Sequence, residues 1–386
     1  MPDDWDAPGV PLSIVHLLAP GDAGGLESVV RALATGQARQ GHIVRMVAVL
    51  RAQGAPPSWL EPLAHEGVEV VPLVLPGRRY LRERAVVAAL CRELGPDVVH
   101  SHGYRPDVVG AAGARKAGTP TVSTVHGFTG GGWKNRLYER LQLRALRAFD
   151  AVVAVAMPLA ERLALAGVPR ERLHVIPNAY GGGTTFATRA DARRTLGVAE
   201  DVLHIGFVGR LGREKGADVL IDAVHRLAER NLVVSIVGDG RERRALERQA
   251  AALGLEGIIR FHGLMPDAAR LLRAFNLLVL SSRTEGTPIV LLEGMAAGVP
   301  VVASRVGGVP DVVTSRDALL VPPEQPELLA SAIASVLRAP KAAAARANRA
   351  SARLADIAAM EPWLDRYEQL YREVLRLGGA AERIAV

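Results

Sequence analysis

The sequence predicts an α/β protein made of two doubly wound domains, each with a parallel sheet. Short apolar segments alternate with amphipathic ones along the chain, which is typical of parallel strands covered by helices on both faces. The alternation runs through two similar halves, and a passage that ends in Gly181-Gly182-Gly183-Thr184 separates them. With 386 residues, 49% of them hydrophobic, the chain can build two cores.

The first half carries six buried-strand patterns and five helical ones. The strands are predicted at Ser13–Leu18, Val44–Leu50, Val68–Leu73, Asp97–His102, Thr121–His126 and Ala151–Ala156. The helices are predicted at Ser28–Arg39, Leu81–Leu94, Pro106–Ala117, Trp133–Arg147 and Pro158–Ala166. In such a sheet, ligands bind beyond the carboxyl ends of the strands.

The second half repeats the pattern. Strands are predicted at Leu203–Val208, Leu232–Val237, Ile258–Phe261, Leu277–Leu280, Val299–Ala303 and Ala318–Val321. Helices are predicted at Ala217–Glu229, Arg241–Leu253, Glu327–Leu337 and Ala342–Ala355, with one more after Pro288, where Thr287 can cap the first turn.

Charge and cysteine content narrow the class of partner. The net charge is 47 − 40 = +7, and the chain has four lysines against many arginines, so an anionic partner is favoured: a phosphorylated substrate, a membrane surface or nucleic acid. The single cysteine, Cys91, excludes a disulfide within the chain and offers no metal cluster. Neither a secretory signal nor a membrane-spanning run is evident. We expect a cytoplasmic protein, with peripheral attachment to the inner face of the cell membrane left open.

The stretch Arg283–Met295 concentrates chemistry between a strand and a helix. Glu285 is expected in the loop at the strand's carboxyl end, and Glu293 within the helix that follows Gly286-Thr287-Pro288-Ile289. Two carboxylates, loop backbone and a positive helix end would then face one crevice, which suits a phosphate and a sugar. The alternative is an ordinary strand-loop-helix unit with two solvated acids.

A second loop, Gly209–Gly216, carries Arg210 at a strand end and Lys215 before a helix. A guanidinium and an ammonium that converge suit a diphosphate, since Arg binds it bidentately and Lys as a point charge. The spacing does not fit a P-loop. A solvated basic turn is the other interpretation.

Glycines and histidines end the strands of the first half. The Gly24-Gly25 turn opens a helix and allows close approach of an anion, although glycine pairs are common in turns. His126 precedes the glycine cluster Gly130–Gly132, while His100 and His102 flank Ser101; a histidine at a strand end is often a plain polar terminus.

Two basic segments of the first half combine cations with apolar side chains. The first is the helix Trp133–Arg147, with Lys134, Arg136, Arg140, Arg144 and Arg147; the second is the cluster of Arg78, Arg79, Arg82 and Arg84. Both suit an anionic membrane surface, or form solvated faces.

Taken in order, these motifs resemble those of the retaining glycosyltransferases of family 4, the glycosyl transferases group 1, which have the two-Rossmann GT-B fold. The resemblance covers essentially the whole chain. It rests on Gly24-Gly25-Leu26-Glu27, on Gly209-Arg210-Leu211 with Lys215-Gly216, on Glu285 and Glu293 with seven residues between them, and on Gly294–Ala303. It implies an N-terminal Rossmann-like acceptor-binding domain at 1–180, a nucleotide-sugar-binding domain at 181–360 and a C-terminal helix at 361–386 that crosses back, with the cleft between the two domains.

The resemblance also implies roles for single residues. Arg210 and Lys215 would neutralise the leaving diphosphate, Glu293 would accept hydrogen bonds from ribose hydroxyls, and Glu285 with the backbone after it would hold the donor sugar. His126 would contact that sugar, and the amide of Gly25 in the Gly24-Gly25 loop would approach the phosphates. The base would be read mainly by backbone near His262 and Leu264. No metal and no cofactor is implied, only a nucleotide-sugar donor such as a UDP- or GDP-sugar.

One departure is the linker, which reads Asn178-Ala179-Tyr180-Gly181 where the family more often has Gly-Val-Asp after Asn. The expected activity is transfer of a hexosyl-type sugar to a hydroxyl of a glycan or lipid-linked acceptor, in cell-envelope or exopolysaccharide biosynthesis. A GT-B sugar-nucleotide epimerase and a non-catalytic sugar-nucleotide-binding protein remain alternatives. Nucleic acid is the least favoured partner, because no recognised module is present.

Overall fold

All neighbouring strands in the structure are parallel, and they form one sheet of seven strands and one of six. The computed structural model describes residues 9–384 except 22–23, 52–54, 76, 78, 129–132, 228–230 and 266. The chain divides into two units. The described part of the first lies within 9–128, 133–178 and 360–384, and that of the second within 179–359.

The first unit holds the sheet of seven strands. These are β1 (Ser13–Leu18), β2 (Ile43–Arg51), β3 (Val68–Leu75), β4 (Val98–His102), β5 (Thr121–Val125), β6 (Ala151–Ala154) and β7 (Leu173–Val175). Their order in the sheet is β3-β2-β1-β4-β5-β6-β7, so the chain reverses direction across the sheet between β1 and β4. In a doubly wound sheet, this reversal marks the usual ligand position.

Six helices of the first unit flank that sheet or close the chain. They are α1 (Gly25–Arg39), α2 (Tyr80–Leu94), α3 (Ala111–Lys116), α4 (Trp133–Leu146), α5 (Met157–Leu165) and, at the C-terminal end, α13 (Met360–Ile384). Helix α13 packs against α1, where a Cβ on Gly36 would lie 2.7 Å from the Leu364 side chain. Glycine at this position therefore permits the close approach of the two helices.

The second unit holds the sheet of six strands. These are β8 (Leu203–Val208), β9 (Leu232–Val237), β10 (Ile259–Gly263), β11 (Leu277–Leu280), β12 (Val301–Ser304) and β13 (Leu319–Val321). Their order is β10-β9-β8-β11-β12-β13, and the reversal falls between β8 and β11.

Seven helices belong to the second unit: α6 (Arg189–Thr195), α7 (Ala217–His225), α8 (Arg243–Ala252), α9 (Ile289–Ala296), α10 (Val309–Val312), α11 (Pro326–Arg338) and α12 (Pro340–Ile357). Strands β9 and β12 are buried along their whole length, because helices cover both faces of the sheet. The core on either side of it consists of Val, Leu, Ile and Ala side chains with few aromatic rings.

Several short elements were not expected from the sequence. They are the 3-10 helices Ser58–Glu66, Arg170–Arg172, Arg213–Lys215 and Ala268–Ala274, together with α6 and α10. Segment 58–66 contains Pro62, and its apolar residues do not recur at helical spacing, so the sequence does not predict this helix. Helix α6 does carry a signal, because Thr188 accepts a hydrogen bond from the Asp191 amide at 3.2 Å, the interaction of an N-cap.

Three predicted helix starts need correction. Helix α1 begins at Gly25 and not at Ser28, so the glycine pair forms the helix terminus itself. The helix predicted from Pro106 opens with a π-helical stretch, Pro106–Gly110. At α9 the N-cap is Pro288, with ψ 111° and no side-chain cap, so the expected cap from Thr287 is wrong.

Within the described residues, no single helix combines the length and the low charge of a bilayer span. Only the broken pair Pro326–Arg338 and Pro340–Gly378 meets such a criterion, by length and composition alone.

Candidate active site

Two loops of the second unit meet beyond the carboxyl ends of β8 and β11, the neighbouring strands at the reversal of the sheet. One loop is Gly209–Gly216 and the other is 281–288. The Arg283 amide donates to the Glu214 carbonyl at 2.8 Å, and Ser281 Oγ donates to the Gly216 carbonyl at 2.7 Å. These bonds hold the two loops side by side, although they lie about seventy residues apart in the chain.

Glycine is required at the end of the first loop. Gly216 has φ +64°, and a Cβ there would lie 2.0 Å from the Ser281 carbonyl oxygen. Any other residue would push the loops apart. Lys215 owes its position to this close contact.

Lys215 and Glu285 form the central contact of the site. The ammonium Nζ lies 2.7 Å from Oε1 and 2.8 Å from Oε2 of the carboxylate. Ser282 Oγ donates to Oε1 at 2.6 Å as well. The Glu285 side chain is only 6% exposed and that of Lys215 24%, so water screens the pair weakly. An ammonium has three N–H donors, so at least one is left for an anion.

Arg210 is held in a similar way by an acid on its own loop. Its Nε and Nη2 donate to Glu214 Oε1 at 3.1 and 2.8 Å. The Glu214 side chain is 7% exposed, whereas that of Arg210 is 57% exposed. The buried carboxylate thus orients the guanidinium, and the N–H groups that do not bind Glu214 face solvent, where they are available to an oxyanion.

A third cation, Arg283, braces the loops. Its guanidinium donates to both carboxylate oxygens of Asp218, at 2.8 and 2.7 Å, and to Glu324 at 2.8 Å. It also donates to the Arg213 carbonyl at 2.8 Å. The hydrogen bonds to Asp218 raise the pKa of Arg283 above its ordinary value. Because these bonds occupy it, Arg283 acts as a support for the loop that carries Arg210 and Lys215.

Glu293 lies on α9 in a different environment. The carboxyl group has no hydrogen bond and no ion pair with any residue in the described part of the chain. Burial raises its pKa to about 7, because no cation compensates for lost hydration. At neutral pH the group is therefore part protonated, and it can both donate to and accept from hydroxyl groups.

The segment 286–289 leads from Glu285 into α9. The Gly308 amide donates to the Gly286 carbonyl at 3.1 Å, and Gly307, at φ +52°, would place a Cβ 1.8 Å from the Glu285 carbonyl oxygen. Thr287 is buried and Pro288 fixes the entry into the helix. The first-turn amides of α9, such as that of Ile289, have no intrahelical acceptor and suit an anion or a hydroxyl oxygen.

His262 and Leu264 sit at the end of β10. The His262 ring hydrogen-bonds to Ser235 Oγ at 2.9 Å, and that hydroxyl contacts His204 Nε2 at 2.8 Å. The His262 side chain is therefore committed inside the second unit, while the side chain of Leu264 is 52% exposed. The backbone around them stays the candidate for base recognition.

The remaining expected residues belong to the first unit. Gly24 is the N-cap of α1 and Gly25 its first residue. The Glu27 carboxylate folds back over this turn and accepts a hydrogen bond from the Gly21 amide at 2.9 Å; a Cβ on Gly24 would lie 2.5 Å from its Oε2. An anion that approaches the Gly25 amide would meet this carboxylate, so Glu27 must turn away to admit it.

His126 follows β5 and faces other histidines. Its Nε2 lies 3.5 Å from His102 Nδ1, while its own Nδ1 is buried and has no hydrogen-bond partner among the described residues. Burial lowers the pKa of His126 to about 4, so the ring is neutral at physiological pH. His100 and His102, expected only as polar strand ends, are fully buried within β4.

The structure brings some of the predicted site residues into contact and adds residues that were not predicted. It brings Lys215 into contact with Glu285 and sets Arg210 on the same loop, as the motifs suggest. It adds three residues to which the sequence assigns no role: Glu214, Ser282 and Arg283. Of these, Glu214 could have been found, since it follows Arg210 by four residues. Arg78 and the cluster Gly130–Gly132 lie outside the described residues.

The basic segments of the first unit expose apolar as well as charged side chains. On α4, a row at i, i+4 and i+8 is open to solvent: Trp133 (72% exposed), Leu137 (46%) and Leu141 (42%). Lys134, Arg136, Arg140 and Arg144 on the same helix are exposed as well, and Leu81 at the start of α2 is 84% exposed. An exposed row of this kind marks a surface for interaction.

The chain matches two family models and many known proteins. Residues 23–180 match the model of glycosyltransferase family 4, and residues 188–353 match the model of glycosyl transferases group 1. D-inositol 3-phosphate glycosyltransferase of Actinosynnema mirum is 33% identical over 365 residues, which cover 83% of this chain and 85% of that protein. The protein of the same name from Segniliparus rotundus is 31% identical and covers 95% and 88%.

Solved structures show the same fold. Alr3699/HepE of Anabaena, in complex with UDP-glucose, superimposes with a TM-score of 0.79 at 24% identity and covers 94% of this chain and 99% of that one. Sucrose-phosphate synthase of Thermosynechococcus elongatus gives a TM-score of 0.78 at 22% identity and covers 95% and 100%. The chain therefore belongs to glycosyltransferase family 4, the glycosyl transferases group 1, and has the α/β architecture of the GT-B glycosyltransferases.

Proposed function

We propose that this glycosyltransferase moves a sugar, with retention of anomeric configuration, from a nucleotide-sugar donor to a hydroxyl group of a glycan or lipid-linked acceptor. One observation carries the proposal: Lys215 and Arg210, each oriented by a buried carboxylate, stand beside the hydroxyl-binding groups of 285–293 at the reversal of one sheet. Cations next to hydroxyl acceptors are what a sugar diphosphate requires. A non-catalytic protein that only binds a sugar nucleotide would also need these cations, but it would not transfer the sugar.

The donor's diphosphate is assigned to Arg210 and Lys215. When the bond from the anomeric carbon to the diphosphate oxygen breaks, that oxygen gains negative charge, and both cations stabilise it. The proton of the acceptor hydroxyl passes to the leaving phosphate as the new glycosidic bond forms. Because each cation is already fixed by a carboxylate, little reorganisation is needed at that moment.

The hydroxyl groups of the donor are assigned to the two glutamates. Glu285, with the backbone of Gly286–Ile289, accepts from the sugar. Glu293, whose raised pKa leaves it part protonated, holds the ribose hydroxyls. His126 contacts the sugar near its reacting carbon, and the Gly25 amide approaches the phosphates. The structures of HepE with UDP and with UDP-glucose support the choice of a uridine donor as the first to test.

A donor panel tests the function. Purified protein is incubated with UDP-, GDP- and ADP-sugars, and nucleotide release is followed with and without acceptor. Release of nucleotide from at least one donor is expected; no binding and no hydrolysis across the panel would refute the proposal. Conversion of the donor sugar to its isomer without acceptor would favour the epimerase instead.

The acceptor and the stereochemistry need separate measurements. Polyprenyl-linked sugars and glycan oligosaccharides test the proposed acceptor class, and inositol 3-phosphate tests the one named in its relatives. The anomeric proton coupling of the product should match that of an α-linked donor if the configuration is retained. We further propose that no metal is needed, so turnover should persist in EDTA.

We also propose a cytoplasmic protein that attaches to the inner membrane surface through α4 and the start of α2. The exposed row of Trp133, Leu137 and Leu141 among arginines fits an anionic bilayer surface. Pelleting with anionic vesicles should be strong at low salt and weak at high salt. Absence of binding at low salt would end this part of the proposal, and Leu137→Ser/Leu141→Ser should weaken it.

A further inference from the structure

The first unit contains a group of four histidines, three of them buried and His126 half-buried, whose ring nitrogens are almost all paired. His16 lies on β1, His100 and His102 lie on β4, and His126 follows β5. In the parallel register His16 sits opposite His100, so side chains of neighbouring strands meet on one face. The cluster reaches α1 through Gln37 and α13 through Tyr367 and Tyr371.

The contacts form one continuous series, which we call the histidine chain. His126 Nε2 is 3.5 Å from His102 Nδ1, the longest link, and His102 Nε2 is 3.0 Å from His16 Nδ1. His16 Nε2 is then 2.8 Å from Gln37 Oε1. Each ring uses one nitrogen toward each neighbour, so the series has a single direction of donation.

Gln37 fixes that direction. Its amide oxygen can only accept, so His16 Nε2 carries the proton and donates to it. His16 Nδ1 is then an acceptor, and it takes its hydrogen bond from the protonated Nε2 of His102. By the same logic His102 Nδ1 accepts from His126 Nε2–H. The ring of His126 is therefore left with an unprotonated Nδ1, the buried nitrogen that no described residue contacts by a hydrogen bond.

Tyr371 holds the amide in this orientation. The Tyr371 hydroxyl gives its single proton to His100 Nδ1, so it can only accept from Gln37, whose Nε2 lies 3.2 Å away; the amide oxygen is thereby turned toward His16. The same hydroxyl lies 2.7 Å from His100 Nδ1, and His100 Nε2 lies 2.7 Å from Thr124 Oγ1. If the amide were reversed, every ring in the chain would have to change its tautomer.

We propose that Gln37 and Tyr371 are positioning residues that set the tautomer of His126, so that its Nδ1 acts as a hydrogen-bond acceptor toward a hydroxyl group of the donor sugar. The link to the sugar rests on the function proposed above, whereas the tautomer does not. Burial supports the neutral form, since the pKa of both His16 and His126 falls to about 4. Helix α13, far along the sequence, thereby controls the chemistry of a strand end.

A metal site is the competing interpretation. His16, His100 and His102 offer ligand atoms within 4.8 Å of one another. However, a ligating nitrogen needs a free lone pair, and each nitrogen of these three rings is already in a hydrogen bond with a described residue. A tridentate metal would break several of these bonds, so the geometry fits a hydrogen-bonded chain better.

Nitrogen NMR tests the tautomer directly. In protein labelled with ¹⁵N-histidine, protonated and unprotonated ring nitrogens resonate far apart, and ten histidines give a tractable spectrum. Loss of one resonance set in His126→Gln assigns the ring. The wild type should show His126 as the Nε2–H tautomer. Predominance of the Nδ1–H form in the wild type would overturn the proposal.

Variants on α13 test the control by Tyr371. Tyr371→Phe removes the hydroxyl that orients Gln37, and the tautomer ratio of His126 should shift by about fivefold, the worth of one hydrogen bond. Tyr367→Phe is the matched control: it removes an equally buried hydroxyl from the same helix, one that contacts Thr124 and not Gln37. The control should keep the wild-type tautomer.

A second variant and a metal assay make the test robust. Gln37→Met removes both amide contacts and should shift the tautomer ratio of His126 as Tyr371→Phe does. This variant tests the proposal even if Tyr371→Phe fails to fold. An unchanged His126 spectrum in a folded variant of either kind refutes the chain. Stoichiometric zinc in purified protein, with a fall in melting temperature on EDTA, would also refute it.

Kinetics separate this proposal from the function. Once a donor is known, Tyr371→Phe should lower kcat/KM by about fivefold, with Tyr367→Phe near wild type. If no nucleotide sugar is turned over at all, the proposed function fails while the NMR result still stands. If turnover is normal in Tyr371→Phe although the tautomer shifts, the contact of Nδ1 with the sugar is wrong.

Discussion

Replacement of Lys215 by methionine should impair both stability and turnover. In the structure the ammonium group satisfies two carboxylate oxygens of Glu285, which is 6% exposed. Removal of one partner from a buried ion pair leaves a buried charge and costs about 3–5 kcal/mol. Ser282 Oγ still donates to Glu285 at 2.6 Å, and Lys215 is 24% exposed, so the cost should fall below that range. We expect a loss of about 2–3 kcal/mol.

Part of the stability lost in Lys215→Met should return when the unpaired carboxylate of Glu285 is removed. Glu285→Gln in the Lys215→Met background replaces the carboxylate by a neutral amide, whose oxygen still accepts from Ser282. The double variant should therefore be about 1–2 kcal/mol more stable than Lys215→Met alone. Urea unfolding followed by circular dichroism gives these differences if the second unit unfolds as one transition.

Turnover separates the two roles of the ammonium group. Loss of a cation that stabilises a leaving oxyanion lowers kcat by about 10²–10³-fold. Both Lys215→Met and the double variant should show this loss, although only the single variant carries the full stability cost. If Glu285→Gln alone changes the stability of the wild type as much as it changes that of Lys215→Met, the ion pair does not form in solution. Unchanged donor turnover in a folded Lys215→Met protein would refute the diphosphate role.

Three further predictions concern stability. His16, His126 and His204 are neutral in the folded chain and take up protons below pH 6.5 when the chain unfolds. The free energy of unfolding is therefore highest above pH 6.5 and falls toward pH 4. At pH 5 each of the three should lower it by on the order of 2 kcal/mol, as measured by urea titrations. Asp107 has the opposite sign: burial raises its pKa to about 6, so its ionisation destabilises the fold as pH rises through 6. Asp107→Asn removes this buried charge and should add about 1–2 kcal/mol at pH 8. Gln142, which donates through Nε2 to the Asp107 carboxylate, must turn its amide over so that Oε1 accepts from the new NH2 group. Gly216→Ala should cost about 2–4 kcal/mol, against about 1 for Gly254→Ala, which has a similar φ of +69° but nothing within 4 Å of its Cβ.

Each of these three has an outcome that would contradict it. Because Asp107 and Glu293 act with the opposite sign, the histidines are tested one at a time: a His204→Asn variant that keeps the wild-type pH dependence of stability would contradict the prediction for His204. A less stable Asp107→Asn at pH 8 would mean that the carboxylate's bonds outweigh its burial. Equal costs for Gly216→Ala and Gly254→Ala would mean that the 281–288 loop yields easily to a methyl group.

Much of the fold follows from local pattern. The bounds of β1, β8, β9 and β11 coincide with the predicted ones, because a fully buried strand is an apolar run with turn residues at both ends. Short 3-10 helices were missed, since three to nine residues carry too little periodicity. The family resemblance, and not a local pattern, implied that the C-terminal helix crosses back, and no pattern predicted the contacts of the linker.

The sequence predicts which residues the site contains, but not which of them contact each other. The sequence shows that Arg210, Lys215 and two glutamates occur at strand ends, and the order of the strands in a doubly wound sheet decides which ends are neighbours. The contact between Lys215 and Glu285 joins residues 70 positions apart. It depends on Gly216 and Ser281 meeting at close range, which no local pattern encodes. The histidine chain is a similar case, since Tyr371 lies 334 positions from Gln37.

The two glutamates that the sequence presents as a pair have different chemistry in the structure. Glu285 holds an ammonium group and a hydroxyl group, so it is an acceptor whose oxygens are already partly used. No cation in the described part of the chain pairs with Glu293, and burial raises its pKa to about 7. Spacing could not reveal this, because environment and not residue type decides the protonation state. A carboxyl group near half protonation can donate to one hydroxyl and accept from another, whereas Glu285 can only accept. Donor affinity should therefore depend on pH near 7 through Glu293, and Glu293→Gln, which keeps one donor and one acceptor at every pH, should flatten that dependence.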